Sequence, residues 1–168
     1  MTHSITVKNL KVAEFASEET LCFQATVYVD GKRAFLASNE GHGGPTNFDP
    51  LKFSKPEVAR FRALVADLAK WAKTLPKGTA HLDVYDQCLE SLVDDAVQKA
   101  QDEKRLRKLL KKGTIWTQAN GQRAEIRAYR CSPSDPGFRA FVERDFPGAV
   151  ILNDVPFERA MELYIASS

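Results

Sequence analysis

The sequence predicts an α+β fold: a single domain with a twisted antiparallel sheet from two hairpins, a packed amphipathic helix and a long, partly projecting second helix. Three observations predict it. Asp30-Gly31 and Asn120-Gly121 each separate two β-rich runs, and both dipeptides tolerate the positive φ of a tight type I′ turn. Between the two hairpins, residues 54–75 and 84–112 place apolar side chains at intervals of three and four, the helical period. The resulting order of hairpin, helices, hairpin, helix, strand and helix belongs to an α+β chain rather than a doubly wound one. At 168 residues, 43% hydrophobic and 27% charged, the chain is long enough to bury a core without disulfide or metal staples.

Residues 1–53 read as an N-terminal β region ending in a glycine loop. In SITVKNLKVAEF, the residues Ile5, Val7, Leu10 and Val12 keep a two-residue beat with one slip near Asn9, which predicts a bulge or a bend. Phe23, Ala25, Val27 and Val29 then share one strand face ahead of the Asp30-Gly31 turn, and a second apolar run follows it. Residues 54–112 read as helical. Ser54 suits the N-cap, Pro56 the first turn, and Glu57 completes a capping box. Val58, Phe61, Leu64, Val65, Leu68, Trp71, Ala72 and Leu75 form a stripe that needs a sheet to pack on, and Pro76 and Gly78 stop it.

The second helical pattern, from about Val84 to Lys112, puts Leu89, Leu92, Val93, Ala96, Val97 and Ala100 on one face. QDEKR interrupts it, and Leu106, Leu109 and Leu110 resume on a face rotated by roughly a quarter turn or more. One straight helix cannot bury both stripes against one surface. Either it breaks near Gln101, or its distal half meets a different surface. Residues 113–168 read as mixed structure: TIWTQANGQRAEIRAYR as the second hairpin and DPGFRAFVERDFPG as a short helix with Phe138, Phe141, Val142 and Phe146 inward. AVILND reads as a buried strand and PFERAMELYIA as a terminal helix.

Several function classes find no signature. Cys22, Cys88 and Cys131 are odd in number and form no CxxC, which fits reduced thiols rather than a disulfide framework. No apolar run approaches the roughly 20 residues of a membrane span, and the N-terminus lacks a signal core, so a cytoplasmic protein without membrane contact is expected. His3, His42 and His81 form no HxH or HxxxH pair, so neither a metal nor a cofactor is expected. No Ser or Cys stands in a nucleophile motif, and a non-enzymatic role is the expectation.

Two places remain for function. SNEGHGGPTNF holds Gly41, Gly43 and Gly44 around His42; backbone amides freed by three glycines would approach an anion closely, and His42 is the single catalytic candidate as acid or base. The Gly-Lys-Ser/Thr ending of a P-loop is absent, however, and a bend needing positive φ explains the same glycines. DEKRLRKLLKKG, drawn as a helix, sets Lys104, Arg105, Arg107, Lys108, Lys111 and Lys112 on one arc and Leu106, Leu109 and Leu110 opposite. Such an arc would neutralise phosphates, extended by Arg123, Arg127 and Arg130 if the following hairpin shares its side, with Trp116 or Tyr129 as stacking faces. A solvated helix end whose cations complement the dipole explains it as well.

The run SEETLCFQATVYVDGKRAFLASNEGHGGPTNF, with the later VILND, resembles small uncharacterised proteins of phage and mobile-element genomes, which share a SEET-CF-A-VYV-GK hairpin and a GxGG loop. The resemblance implies a genomic setting, in a host cytoplasm, and transfers no activity and no catalytic residue. The expectation is therefore a non-enzymatic binding or accessory protein of a phage or mobile element, using the basic helix against nucleic acid or an acidic protein partner. The alternative is a small enzyme or ligand-binding protein for a phosphorylated or nucleotide-like molecule, held at Gly41 to Gly44 beside His42. The leucines at 106, 109 and 110 would also serve a homo-oligomer.

Overall fold

Asp30 and Gly31 both take positive φ, 52° and 76°, and the strands on either side pair as the first predicted hairpin: β2 (Phe23–Val29) with β3 (Lys32–Asn39). The computed structural model describes residues 2–76, 78–80, 83–85, 87–120 and 123–167, with side chains described outside 77–86, 118–126 and 128. A strand β1 (Ile5–Val12) pairs with β2, and its register slips by one residue between Lys8 and Lys11. Asn9, at φ 55°, is the extra residue of the bulge that the broken alternation predicts. A fourth strand, β4 (Asn47–Pro50), closes the antiparallel order β1-β2-β3-β4. It is too short and too irregular in pattern to stand out in the sequence.

The chain is α+β, as its element order implies, and it groups into two compact units, Met1–Ala100 and Gln101–Ser168. The division falls inside the region read as helical, not at residue 53 or 112. In the first unit one sheet face carries Phe23, Ala25, Val27, Val29, Phe35 and Ala37, all buried. Helix α1 (Lys55–Ala72) covers it with Leu68, Phe61, Leu64, Val65 and Trp71. Complete burial of side chains such as Val27 and Phe35 contributes roughly 1.5–3 kcal/mol each. The capping box does not form: Ser54 is the N-cap residue but makes no side-chain bond, while the Glu57 carboxylate accepts from Arg60 at 3.0 Å.

Two short strands, β5 (Gly78–Ala80) and β6 (Asp83–Tyr85), precede α2 (Leu89–Lys112). Val84 therefore belongs to a strand rather than to the helix start. Helix α2 runs unbroken past Gln101, which resolves the problem of its two stripes: Leu89, Val93 and Val97 enter the first unit's core, and Leu106 enters the second's. The distal half is packed along its leucine side.

The second unit is built on a sheet of order β8-β7-β9, from β7 (Thr114–Asn120), β8 (Arg123–Tyr129) and β9 (Val150–Ile151). The predicted second hairpin thus heads a sheet of its own instead of joining the first. Its turn, at 121–122, lies outside the described residues. Consecutive residues on a strand face opposite ways, and β7 uses both sides. Ile115 packs with Leu106, Leu152, Ala160, Met161 and Tyr164, so α2 and α4 (Phe157–Ile165) cover one face. Trp116 packs with Phe138 and Val142 of α3 (Pro136–Asp145) on the other. Asp135 caps α3, its carboxylate accepting from the amides of Gly137 and Phe138 at 2.9 and 3.1 Å. Phe141, expected inward, is 39% exposed, and the expected buried strand reduces to Val150–Ile151.

Candidate functional site

The distal half of α2 has a buried side and a cationic side. Leu106 is fully buried, and Leu109 and Leu110 pack against the same cluster. Leu106 is thus taken up by its own unit's core, while Leu109 and Leu110, the other leucines of the expected homo-oligomer seam, are half-buried against it. Opposite them Lys104, Arg105, Arg107, Lys108, Lys111 and Lys112 are all exposed. Arg107 is held in place: its guanidinium donates twice to Glu103, at 3.1 and 2.8 Å, and lies 3.7 Å from the centre of the Phe157 ring. Among the described residues no ion pair engages Lys104, Lys108, Lys111 or Lys112. The helix end is anchored by Asn153, whose amide donates to the carbonyls of Leu110 and Gly113 at 3.3 and 3.2 Å and accepts from the Ile115 amide at 2.9 Å. Two terminal carbonyls that a helix leaves unpaired are thereby satisfied. From Gln101 onward twelve Lys and Arg face nine Asp and Glu, whereas residues 1–100 hold twelve against thirteen.

The hairpin does not extend the helix's cationic arc. Arg127 pairs with Trp116 across the ladder, so it shares the α3 side of the sheet, and its guanidinium lies 4.7 Å from the centre of the Phe146 ring. The leucine stripe of α2 packs on the Ile115 side. Arg123 belongs to β8, and its side chain lies outside the described residues. Trp116 is 4% exposed and offers no stacking face, but Tyr129 is 60% exposed.

Two amides of the glycine loop, those of Gly41 and Gly43, are taken by neighbouring side chains. Asn39, buried, accepts from the Gly41 amide at 2.8 Å and donates to the Gly44 carbonyl at 2.9 Å; Thr20 donates to Asn39 at 2.8 Å and accepts from the Gly43 amide at 3.3 Å. The Gly41 carbonyl accepts from the amides of Glu18, Glu19 and Thr20. Gly41 and Gly43 take φ of 90° and 78°, and a side chain at either would collide, with the Ala16 carbonyl or the Glu19 carboxylate. The glycines thus meet a demand for positive φ and close approach. Carboxylates line the cleft of about 320 Å³ beside the loop: Glu90 accepts from the Thr46 amide at 2.7 Å and Asp94 from its hydroxyl at 2.8 Å. Burial pushes the Asp94 and Asp95 carboxyls above their ordinary value, for Asp94 against the Thr46 hydrogen bond and with help from Glu90 and Asp95.

An anion meets no free Gly41 or Gly43 amide here, and acids stand close by. His42 is exposed, 3.2 Å from Glu18 and on the rim of a cleft of about 440 Å³ that also holds Lys11, Cys22 and Glu40. His81 lies outside the described residues. The organising roles of Asn39 and Thr20 escaped the sequence reading, although Asn two residues before Gly is an Asx-turn signal.

Among the described residues no helix is long and apolar enough to cross a membrane, and no three His, Cys, Asp or Glu side chains converge as metal ligands. No protein-family model matches the chain, and comparisons with curated proteins and with solved structures find no similar protein.

Proposed function

We propose that the chain is a non-enzymatic nucleic-acid-binding accessory protein, of the phage or mobile-element kind its N-terminal motif suggests, and that it contacts phosphates through the distal half of α2. One observation carries this reading: the exposed cations of that half stand opposite a fully buried Leu106, with four lysines unpaired among the described residues. Complementing the helix dipole accounts for Lys111 and Lys112, in the last turn. It does not account for Lys104, Arg105 and Lys108, because the dipole effect fades within that turn. The packed leucine side fixes the helix, so its lysines are presented at a set spacing along a phosphate row, and released counterions supply the driving force.

The test is fluorescence anisotropy with labelled oligonucleotide at low salt. Reversing Lys108 and Lys111 to Glu should weaken binding at least about 10-fold, while the same net change at exposed Lys70 and Lys73 should weaken it far less. Equal losses from both pairs would reduce the effect to net charge and sink the assignment to α2. Labelled polyglutamate bound as tightly as the oligonucleotide would instead make the partner an acidic protein.

A further inference from the structure

We infer that the first unit carries a second binding site, a cleft between the turn end of the β2-β3 hairpin and helix α1 that takes a small organic anion, a carboxylate on an apolar body. The cleft holds about 320 Å³, inside the roughly 300–1,000 Å³ of small-molecule sites. Ala34, Leu51, Phe61 and Leu64 line it, and each is half-buried. Phe61 is held in place by an edge contact with the fully buried Phe35, their ring centroids 6.0 Å apart. An aromatic or aliphatic group laid on these side chains would take the apolar surface they still expose out of water.

Charge decides what that group must carry. Lys32, Arg33 and Arg60 line the same cleft, together with His3 and two acids, Asp30 and Glu57. Both acids are already matched. Asp30 lies 2.8 Å from Nδ1 of His3 and accepts from the Ser4 amide at 2.9 Å, and these two contacts, the histidine's first, hold its carboxyl below the ordinary value. The smallest pull on Asp30 comes from Lys32. Glu57 accepts from Arg60 at 3.0 Å. The cation excess therefore rests on exposed Lys32 and Arg33, whose side chains enter no hydrogen bond or ion pair among the described residues. A guanidinium offers parallel N–H donors in a planar fork that matches a carboxylate, which makes Arg33 the anchor and Lys32 a supporting point charge. An uncharged molecule would gain only the apolar floor, and a bare anion only the cations.

The experiment is isothermal titration calorimetry of the full chain with two probes, 2-naphthoate and octanoate, against neutral 2-naphthamide and inorganic phosphate. At least one of the carboxylates should bind saturably at a single site, about 10-fold or more tighter than either control. Arg33→Gln should weaken that binding about 10-fold. Arg62→Gln removes the same charge from an exposed position of α1 that does not line the cleft, and should change it less than about 2-fold. An unchanged Tm in both variants assigns the loss to the site and not to folding. Reversing Lys108 and Lys111 should leave the carboxylate's affinity as it is, which separates this site from the phosphate-binding face of α2. No saturable binding of either carboxylate, naphthamide or phosphate bound as tightly as naphthoate, or equal losses from the Arg33 and Arg62 variants would overturn the site.

Discussion

Gly41 and Gly44 sit three residues apart in one loop, yet only one of them is demanded by its backbone. Gly41→Ala places a side chain at φ 90° against the Ala16 carbonyl, whereas at Gly44 nothing stands within 4 Å. Urea denaturation should show Gly41→Ala destabilised by at least about 2 kcal/mol and Gly44→Ala within about 0.5 kcal/mol of wild type. Comparable costs at both positions would mean that the loop is not held as described. Asp94 gives a second residue-level test. Its carboxyl is raised above 3.8, first by burial, so between 3.8 and that raised value the folded chain binds more protons than the unfolded one. Stability from this group therefore falls as pH rises through that window. Asp94→Asn still accepts from the Thr46 hydroxyl but cannot titrate, so Tm against pH should be flatter in the variant, with Asp95 retaining a residual slope of the same sign. An identical pH profile would contradict this placement of Asp94.

The elements differ in how openly the sequence announced them. The β2-β3 hairpin was legible because Asp-Gly has few alternatives, and the β1 bulge because a single slip in a period of two marks one extra residue. The two stripes of α2 were legible as a conflict, and the structure resolves it by giving each stripe its own core. What stayed hidden depends on distant partners. Whether the second hairpin joined the first sheet was not a local property, and β4 is fixed by pairing with β3 rather than by its own pattern. The cationic arc was readable from spacing, but that Arg127 stands across the sheet from it followed only from the register of β7 and β8. At this scale the buried side of α2 should be costly to alter and its cationic side cheap. Leu106→Ala should lose about 2–5 kcal/mol in urea denaturation, and Lys108→Ala should stay within about 0.5 kcal/mol. A tolerated Leu106→Ala would mean that the leucine face is not core.

For the molecule as a whole, charge is apportioned unevenly along the chain. The unit that begins at Gln101 carries the cation excess, and the acids of α2 that bond to the glycine loop belong to the other unit. A net charge of +2 conceals this arrangement, which is why composition alone pointed nowhere. If the distal half of α2 is the phosphate-binding surface, binding must carry the signature of released counterions, one share for each lysine engaged. The most direct measurement is the affinity of the full chain for single-stranded oligonucleotide between about 50 and 200 mM salt. With four or five phosphates engaged, log K against log salt should fall with a slope of about −3, and the slope should flatten by about 0.7 for each of Lys108 and Lys111 replaced by Ala. A slope near zero, or one indifferent to those two lysines, would contradict the account.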